Sequence, residues 1–238
     1  YKVPYLKSVF YDQMVSGLSI SHTQIGILSS AYAGSKMLMY IPCGIFADRI
    51  NTKRVLVFSL VGESILTAIY ATLPAMPILI GVQVMFAFVN IFFWTSFIKS
   101  IRILGKNREQ GKIFGLSEGL RGITGSLATF LGLHIINLFA MKQHSLCYVL
   151  WFYAAYYMVV GILVWRIYPD QMETEEERCQ QWSDYVEVFR KPAVWMVSLL
   201  IITSYSLQVA FEYTTSYMTQ VLGITAMFAG VVATLRDN

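Results

Sequence analysis

One apolar segment of the sequence, from Gly26 to Ala47, is long enough to cross a membrane as a single helix. At about 1.5 Å per residue, it covers a hydrocarbon core of roughly 30 Å. Its single formal charge is Lys36, close to the midpoint, and the segment ends in a charged turn that runs from Asp48 to Arg54. Because that turn belongs in water or lipid headgroups, the segment predicts a helix that spans a membrane and stops at its surface.

The composition extends this prediction to the whole chain. Hydrophobic residues make up 56% of the sequence and charged residues only 13%, whereas a soluble domain carries about a quarter of its residues as charges. The net charge of +4 does not indicate a nucleic-acid partner, because the cations lie in short clusters and form no basic face. The cysteines lack metal-ligand spacing and no Gly-rich phosphate loop is present, so we expect no metal, no cofactor and no ATP-driven step.

Apolar runs separated by polar turns predict eight spans in an all-α membrane protein. They are the outer half of span 1 up to about Val15, span 2 (Gly26–Ala47), span 3 (Val55–Leu73), span 4 (Ile78–Ile98), span 5 (Ile113–Leu138), span 6 (Cys147–Ile167), span 7 (Ala193–Met218) and the start of span 8 from about Ala226. We expect an internal piece of a longer protein in three parts. These are an N-terminal six-helix bundle (1–168, with span 1 truncated), a linker (169–192) and the truncated start of a C-terminal bundle (193–238).

Positive charges are distributed unevenly between the turns. The turns at 48–54 and 99–112 and the linker at 169–192 carry eleven cations, whereas the turns on the other side carry Lys142 alone. By the positive-inside rule these three segments are cytoplasmic, and the protein is predicted to lie in the cell membrane. Apolar residues from Trp182 to Phe189 recur at helical spacing, which predicts a short helix at the headgroup level of the linker.

This layout of six spans, a polar linker and a new set of spans is that of a transporter built from two six-helix halves. A channel, a multi-span enzyme or a receptor can share the number of spans. Function must therefore be inferred from the polar residues inside the spans and at their ends.

The turn after span 2 resembles the signature of the major facilitator superfamily. From Gly44 to Arg54 the chain reads GIFADRINTKR, similar to the pattern G-x-x-x-D-R-x-G-x-R/K-R/K between that superfamily's second and third helices. The departure is Asn51, where the family usually has Gly. In physical terms, Gly44 allows another helix to approach closely and Asn51 tolerates a left-handed turn. The resemblance implies the superfamily's fold and a gating role for the charged residues of the turn, which are Asp48, Arg49, Lys53 and Arg54.

Two narrower resemblances concern the candidate binding residues. The runs YKVPYLKSVFY, which starts at Tyr1, and FIKSIRILGKNREQGKIFGLSEGLRGI, which starts at Phe97, resemble the YihN-type bacterial inner-membrane permeases. That resemblance implies Lys2 and Lys7 as candidate binding residues. The pair Ser35-Lys36 is similar to the Ser-Lys pair of the organophosphate:phosphate antiporters, which exchange sugar phosphates or glycerol phosphate for phosphate. The helix-1 arginine of those antiporters has no clear counterpart here.

Lys36 admits two interpretations. A lysine at the bilayer centre costs about 2.5 to 3.5 kcal/mol, so it must face a cavity or a partner. Tyr32 and Tyr40 lie four residues before and after it and extend a polar stripe along one helix face, which predicts an aqueous pathway in which Lys36 binds an anion. Alternatively, Lys36 forms a structural ion pair with Glu63 of span 3, which lies within about 5 Å of the same depth.

Three further charged residues are candidates for gating or coupling. Glu118 and Arg121 of span 5 are three residues apart and can pair on one helix face, either as a gating element or as a static ion pair. Glu212, near the outer end of span 7, can carry a coupling proton or lie at the membrane interface. Span 5 also repeats small residues between Gly115 and Thr129, which predicts close packing of helix backbones.

Together these features predict a secondary active transporter rather than an enzyme. We expect a monomer that moves a small polar and anionic solute, such as a sugar phosphate, a sulfonated sugar or an organic acid, across the bilayer by alternating access. A proton or a counter-anion is the expected coupling partner. The alternatives are a proton-coupled symporter of neutral sugars and a membrane receptor or scaffold that does not transport.

Overall fold

The computed structural model describes residues 3–104, 110–138, 145–169, 190–211 and 214–236. These residues form helices and no strand, so the predicted all-α class is confirmed. In chain order the elements are a 3-10 helix (Val3–Ser8), α1 (Tyr11–Leu18), α2 (His22–Arg49), α3 (Thr52–Ala71), α4 (Met76–Leu104), α5 (Gln110–Leu138), α6 (Ser145–Ile167), α7 (Pro192–Phe211), α8 (Thr214–Gln220) and α9 (Ala226–Arg236).

Four of these helices are long and apolar enough to cross a membrane by length and composition: Thr52–Ala71, Met76–Ile103, Gln110–Leu138 and Ser145–Ile167. They correspond to spans 3 to 6. The 28 residues of α2 are also long enough. α2 is not among the four, because Lys36 and several serines dilute its apolar sequence. The interfacial helix predicted in the linker falls outside the described residues.

Polar caps fix where α2 and α3 begin. Ser21 and Gln24 form a capping box, in which the Gln24 N–H donates to Ser21 Oγ and the Ser21 N–H donates to Gln24 Oε1. Asn51 caps α3 by accepting from the N–H of Arg54 at 3.4 Å. Asn51 has a φ of −56°, so the expected left-handed turn is wrong: this residue provides a side-chain acceptor that a glycine lacks.

The first span is broken, unlike the continuous helix expected from the sequence. The 3-10 helix ends at Ser8 and α1 starts at Tyr11 after Phe10, whose φ of −111° and ψ of 37° are not helical. Within the 3-10 helix, Pro4 cannot donate a backbone hydrogen bond, and the Ser8 hydroxyl donates to the Tyr5 carbonyl at 2.8 Å. Local side-chain bonds of this kind compete with regular helix geometry.

α3 occupies the centre of the packing, between α4 and α6, and α2 packs on the other side of α4. The core includes Tyr70, Phe86 and Leu150, all fully buried. Ser64 of α3 donates to the Ala154 carbonyl of α6 at 2.7 Å, which holds these two helices at a fixed separation. This arrangement buries polar residues of α3 and α4 deep in the bundle.

The small residues of α5 do not all serve close packing. A Cβ built at Gly115 or Gly119 meets no atom within 4 Å, so the predicted packing stripe is wrong for these two positions in the described part of the chain. A Cβ at Gly132, by contrast, would lie 2.8 Å from the Tyr153 hydroxyl and 3.2 Å from Phe10. Among the α5 glycines whose surroundings are described, close approach therefore occurs at Gly132.

Changing Gly132 to Ala is expected to destabilise the protein, because overpacking a filled site costs about 1 to 3 kcal/mol. Gly115→Ala is the matched control: it adds the same methyl group to the same helix in open space, where alanine favours the helix by up to about 1 kcal/mol. Thermal unfolding of the full-length protein in detergent should give a lower Tm for Gly132→Ala and an equal or higher Tm for Gly115→Ala. Equal Tm values for the two variants would contradict this packing.

Candidate functional site

One face of α2 packs against α4 and determines where Lys36 points. Its buried positions recur about one helical turn apart, and among them are Leu28, Tyr32 and Cys43. Residue 36 falls in the same periodic series, between 32 and 43, because the α-helix repeats every 3.6 residues. The apolar packing of α2 thus directs the lysine towards α4 and leaves it partly buried.

The Lys36 ammonium lies in a polar and aromatic environment. Its Nζ donates to Oδ1 of Asn90 on α4 at 3.0 Å and lies 5.6 Å from the centre of the Tyr32 ring. Tyr5 of the 3-10 helix packs edge-on against Tyr32, with ring centres 5.7 Å apart. Hydrogen bonding and cation–π attraction therefore offset the cost of a charge at this depth.

Glu63 of α3 is a second charged residue close to Asn90. Its side chain is 2% exposed, and its carboxylate lies beside the Asn90 amide and within electrostatic range of Lys36. Neither carboxylate oxygen has a hydrogen-bond partner of ordinary geometry among the described residues. Lys36 donates to Asn90 rather than forming the direct ion pair with Glu63 considered from the sequence, and the Glu63 carboxylate lies beside the same amide.

Asn90 and a second amide, Gln83, were not singled out from the sequence. Both are buried on α4, at 0% and 3% exposure. In the sequence, each residue is an uncharged amide in an otherwise apolar span. A buried amide without a hydrogen-bond partner costs free energy, so these two positions could have been predicted to have partners. Gln83 lies next to Tyr70, and neither its carbonyl oxygen nor the Tyr70 hydroxyl has a hydrogen-bond partner within the described ranges.

Glu118 and Arg121 form the ion pair predicted on α5. Arg121 Nε donates to Glu118 Oε2 at 3.0 Å, and the terminal nitrogen NH2 contacts the same oxygen. The guanidinium also lies 5.6 Å from the centre of the Trp94 ring on α4. The two side chains are 28% and 39% exposed respectively, so the pair lines an open surface between α4 and α5.

The charged turn between α2 and α3 presents cations in two environments. Arg49 and Arg54 are exposed, whereas Lys53 is 9% exposed. The side chain of Asp48 lies outside the described part of the structure. A Cβ added at Gly44 would meet no atom within 4 Å, so the close helix approach expected there is absent from the described residues.

Two of the remaining candidates, Tyr40 and Lys7, are described by the structure. Tyr40 is 51% exposed on α2, and Lys7 is buried in the 3-10 helix at 9% exposure. Lys2 and Glu212 lie outside the described residues. Within the ranges that the structure describes, no group of three or more His, Cys, Asp or Glu side chains can hold a metal ion.

Lys36 can act on a ligand through its remaining hydrogen-bond donors. An ammonium carries three N–H donors, of which one points to Asn90. The lysine lies roughly 20 Å from the end of α2 and Asn90 roughly 20 Å from the end of α4, about halfway along each helix. The arrangement therefore places a partly buried positive charge near the middle of the membrane.

Comparisons with known proteins agree with this architecture. A family model described as Major Facilitator Superfamily matches residues 6–235. The Escherichia coli (strain K12) inner membrane protein YqcE is 29% identical over 243 residues, which cover 98% of this chain and 57% of the relative. The inner membrane protein YihN of the same organism is 22% identical over 244 residues, which cover 100% of this chain and 58% of the relative. The chain thus spans somewhat more than half the length of these relatives.

Solved structures of a bacterial homolog of the human lysosomal transporter Spinster share the fold. The inward-facing, unoccupied form has a TM-score of 0.72 and the inward-facing, occupied form one of 0.71, both at 17% identity. They cover 96% of this chain, and the chain covers 54% and 53% of them. At this identity the likeness supports the architecture alone.

Proposed function

Because this chain belongs to the major facilitator superfamily, we propose that the full-length protein is a secondary active transporter that carries a small anionic solute by alternating access. The observation that carries the proposal is the Lys36 ammonium, bound to Asn90 and placed halfway along α2. Solute sites in transporters of this kind lie near the bilayer midplane. A point charge there, with donors to spare, suits the phosphate, sulfonate or carboxylate group of a sugar phosphate, a sulfonated sugar or an organic acid.

The protein is a multi-pass inner-membrane protein, since its two relatives are named inner membrane proteins and four described helices can span a bilayer. We propose that it works as a monomer with cytoplasmic segments at 48–54, 99–112 and 169–192. The N-terminal bundle of residues 1–168 and the C-terminal part from 193 to 238 would then move relative to each other around the solute.

The other candidate residues have proposed roles around this centre. Tyr32 supports the Lys36 ammonium through its ring, and Tyr40, Lys7 and Lys2 are further candidates along the pathway. The charged turn is proposed to gate the cytoplasmic side through Asp48, Arg49, Lys53 and Arg54. Glu212 is a proposed coupling residue near the outer end of α7.

A second candidate function is the proton-coupled symport of a neutral sugar, which Glu63 favours. This carboxyl group is buried beside Asn90 without a hydrogen-bond partner in the described structure. An ionised carboxylate in such surroundings is costly, so Glu63 is suited to bind and release a proton during transport. In that case Lys36 serves Glu63 and Asn90 rather than the solute.

The test is a thermal-shift screen of the full-length protein followed by uptake into proteoliposomes under imposed gradients. The screen compares solutes that share one carbon skeleton but differ in charge, such as glucose 6-phosphate, gluconate and glucose. We expect stabilisation by anionic members and their gradient-driven accumulation. Stabilisation and uptake of glucose alone would support the neutral symporter, and binding without accumulation would support a receptor.

A further inference from the structure

We propose that Arg121 is a second anion-binding residue of the site that contains Lys36, and that Glu118 occupies Arg121 until the solute displaces it. The substrate class that follows is a dianion, with a phosphate monoester as its simplest form. This inference rests on the proposed function, because it assigns a further residue to the same transport site.

The two cations are held to one face of α4. Asn90 accepts from Lys36, and the Trp94 ring lies against the Arg121 guanidinium. Residues four apart lie on the same side of a helix, one turn or about 6 Å from each other. α4 thus supports a lysine from α2 and an arginine from α5 at neighbouring levels.

Both cations also lie at a similar depth in the membrane. Arg121 is about 16 Å from the start of α5 and Trp94 about 15 Å from the end of α4, within one turn of the level of Asn90. The α4 residues that the two cations contact, Asn90 and Trp94, are one helical turn apart. A single tetrahedral phosphate with charge-assisted hydrogen bonds of about 2.8 Å on either side has the reach to span a separation of this size.

The contact between Glu118 and Arg121 has the features of a replaceable ligand. Two nitrogens of the guanidinium converge on Oε2, while the buried Oε1 has no hydrogen-bond partner among the described residues. A strong arginine–carboxylate pair uses both oxygens in a bidentate fork. The two residues also lie within a single helical turn, and pairs at this spacing stabilise an isolated helix by only about 0.2 to 0.5 kcal/mol.

The exchange gives each cation a new acceptor. Without solute, Arg121 is paired with Glu118, and Lys36 donates to Asn90 with Glu63 within electrostatic range. A phosphate dianion presents a negative oxygen to each cation and displaces the Glu118 carboxylate, whose side chain is 28% exposed and can be solvated.

The test uses inorganic phosphate as the probe, titrated into the detergent-solubilised full-length protein by calorimetry. Arg121→Gln should weaken phosphate binding at least about tenfold. Glu118→Gln should strengthen it several-fold, because the competing carboxylate is gone. Arg102→Gln, which removes an exposed cation near the end of α4, is the matched control and should leave the affinity unchanged.

Three other results would contradict the proposal, in part or as a whole. If the ion pair is static, Glu118→Gln should lower the Tm without changing phosphate affinity. That result would contradict the proposed role of Arg121 even if Arg121→Gln does not fold. If phosphate binding is weaker in Lys36→Gln but unchanged in Arg121→Gln, the proposed anion transport stands and Arg121 is not part of the binding site. Phosphate affinity that is independent of both cations, or absent from the wild-type protein, would overturn the dianion assignment as a whole.

Discussion

Replacing Lys36 with Gln is expected to weaken binding of the transported anion by about 10- to 100-fold, the range given by losing one charged hydrogen bond of about 1.5 to 3 kcal/mol. Fold stability should change much less, because glutamine can still donate to Asn90 and lies on the same helix face. Affinity is measured by calorimetry with the solute that the thermal-shift screen identifies. Ser30→Ala, on an exposed position of the same helix, is the control for changes in α2.

A double substitution separates the binding role of Lys36 from a structural one. If Lys36 only serves Glu63, Lys36→Gln should lower the Tm, since it leaves the buried carboxylate without a nearby cation. Adding Glu63→Gln should then restore both stability and transport. Recovery of normal transport in the double variant would refute the binding role, whereas transport that stays impaired in a stable double variant supports it.

Replacing Asn90 with Leu is expected to destabilise the full-length protein by about 2 to 4 kcal/mol. The substitution removes the acceptor of Lys36 and the amide beside Glu63, and losing a hydrogen bond to a buried charge costs about 1.5 to 3 kcal/mol before any further penalty. Unfolding by heat or denaturant in detergent measures the change. Solute binding should fall with it, because Lys36 loses its anchor.

Gln83→Leu is the matched control for this substitution. It makes a comparable change on the same helix at a position that is equally buried. The carbonyl oxygen of Gln83 has no hydrogen-bond partner within the described structure, so its loss should be close to neutral or even stabilising. If Asn90→Leu proves as stable as Gln83→Leu, the polar arrangement around Lys36 contributes little to the stability of the bundle.

The sequence was sufficient to predict spans 2 to 6, because each is a local property of an apolar run, whereas the break in the first span was not predicted. Predicted span 6, Cys147–Ile167, differs from α6 by only two residues at its start. Glu118 and Arg121 were also predictable as a pair, since residues three apart on a helix must lie close together. The superfamily resemblance, carried by the turn from Gly44 to Arg54, is confirmed by the family model.

The contacts around Lys36 were not predictable in the same way. Asn90 lies 54 residues further along the chain, and whether it meets Lys36 depends on how α2 and α4 pack. Counting residues from the shared turn placed Glu63 at the depth of Lys36, but it carries no information about a side chain from a third helix, such as Asn90, that meets them. Asn51 shows the same limit locally: its sequence position suggested a turn conformation, and its side chain instead caps α3.

The break in the first span has a consequence for how the protein is made. The Ser8 carbonyl, at the end of the 3-10 helix, accepts a hydrogen bond from the Thr215 hydroxyl of α8, 207 residues further on. Residues 3–8 therefore cannot complete their contacts until the ribosome has passed α8, although they are synthesised first. The hydrogen bond crosses the boundary proposed at the linker, so the Ser8 carbonyl lacks this donor until the segment beyond the linker has been made.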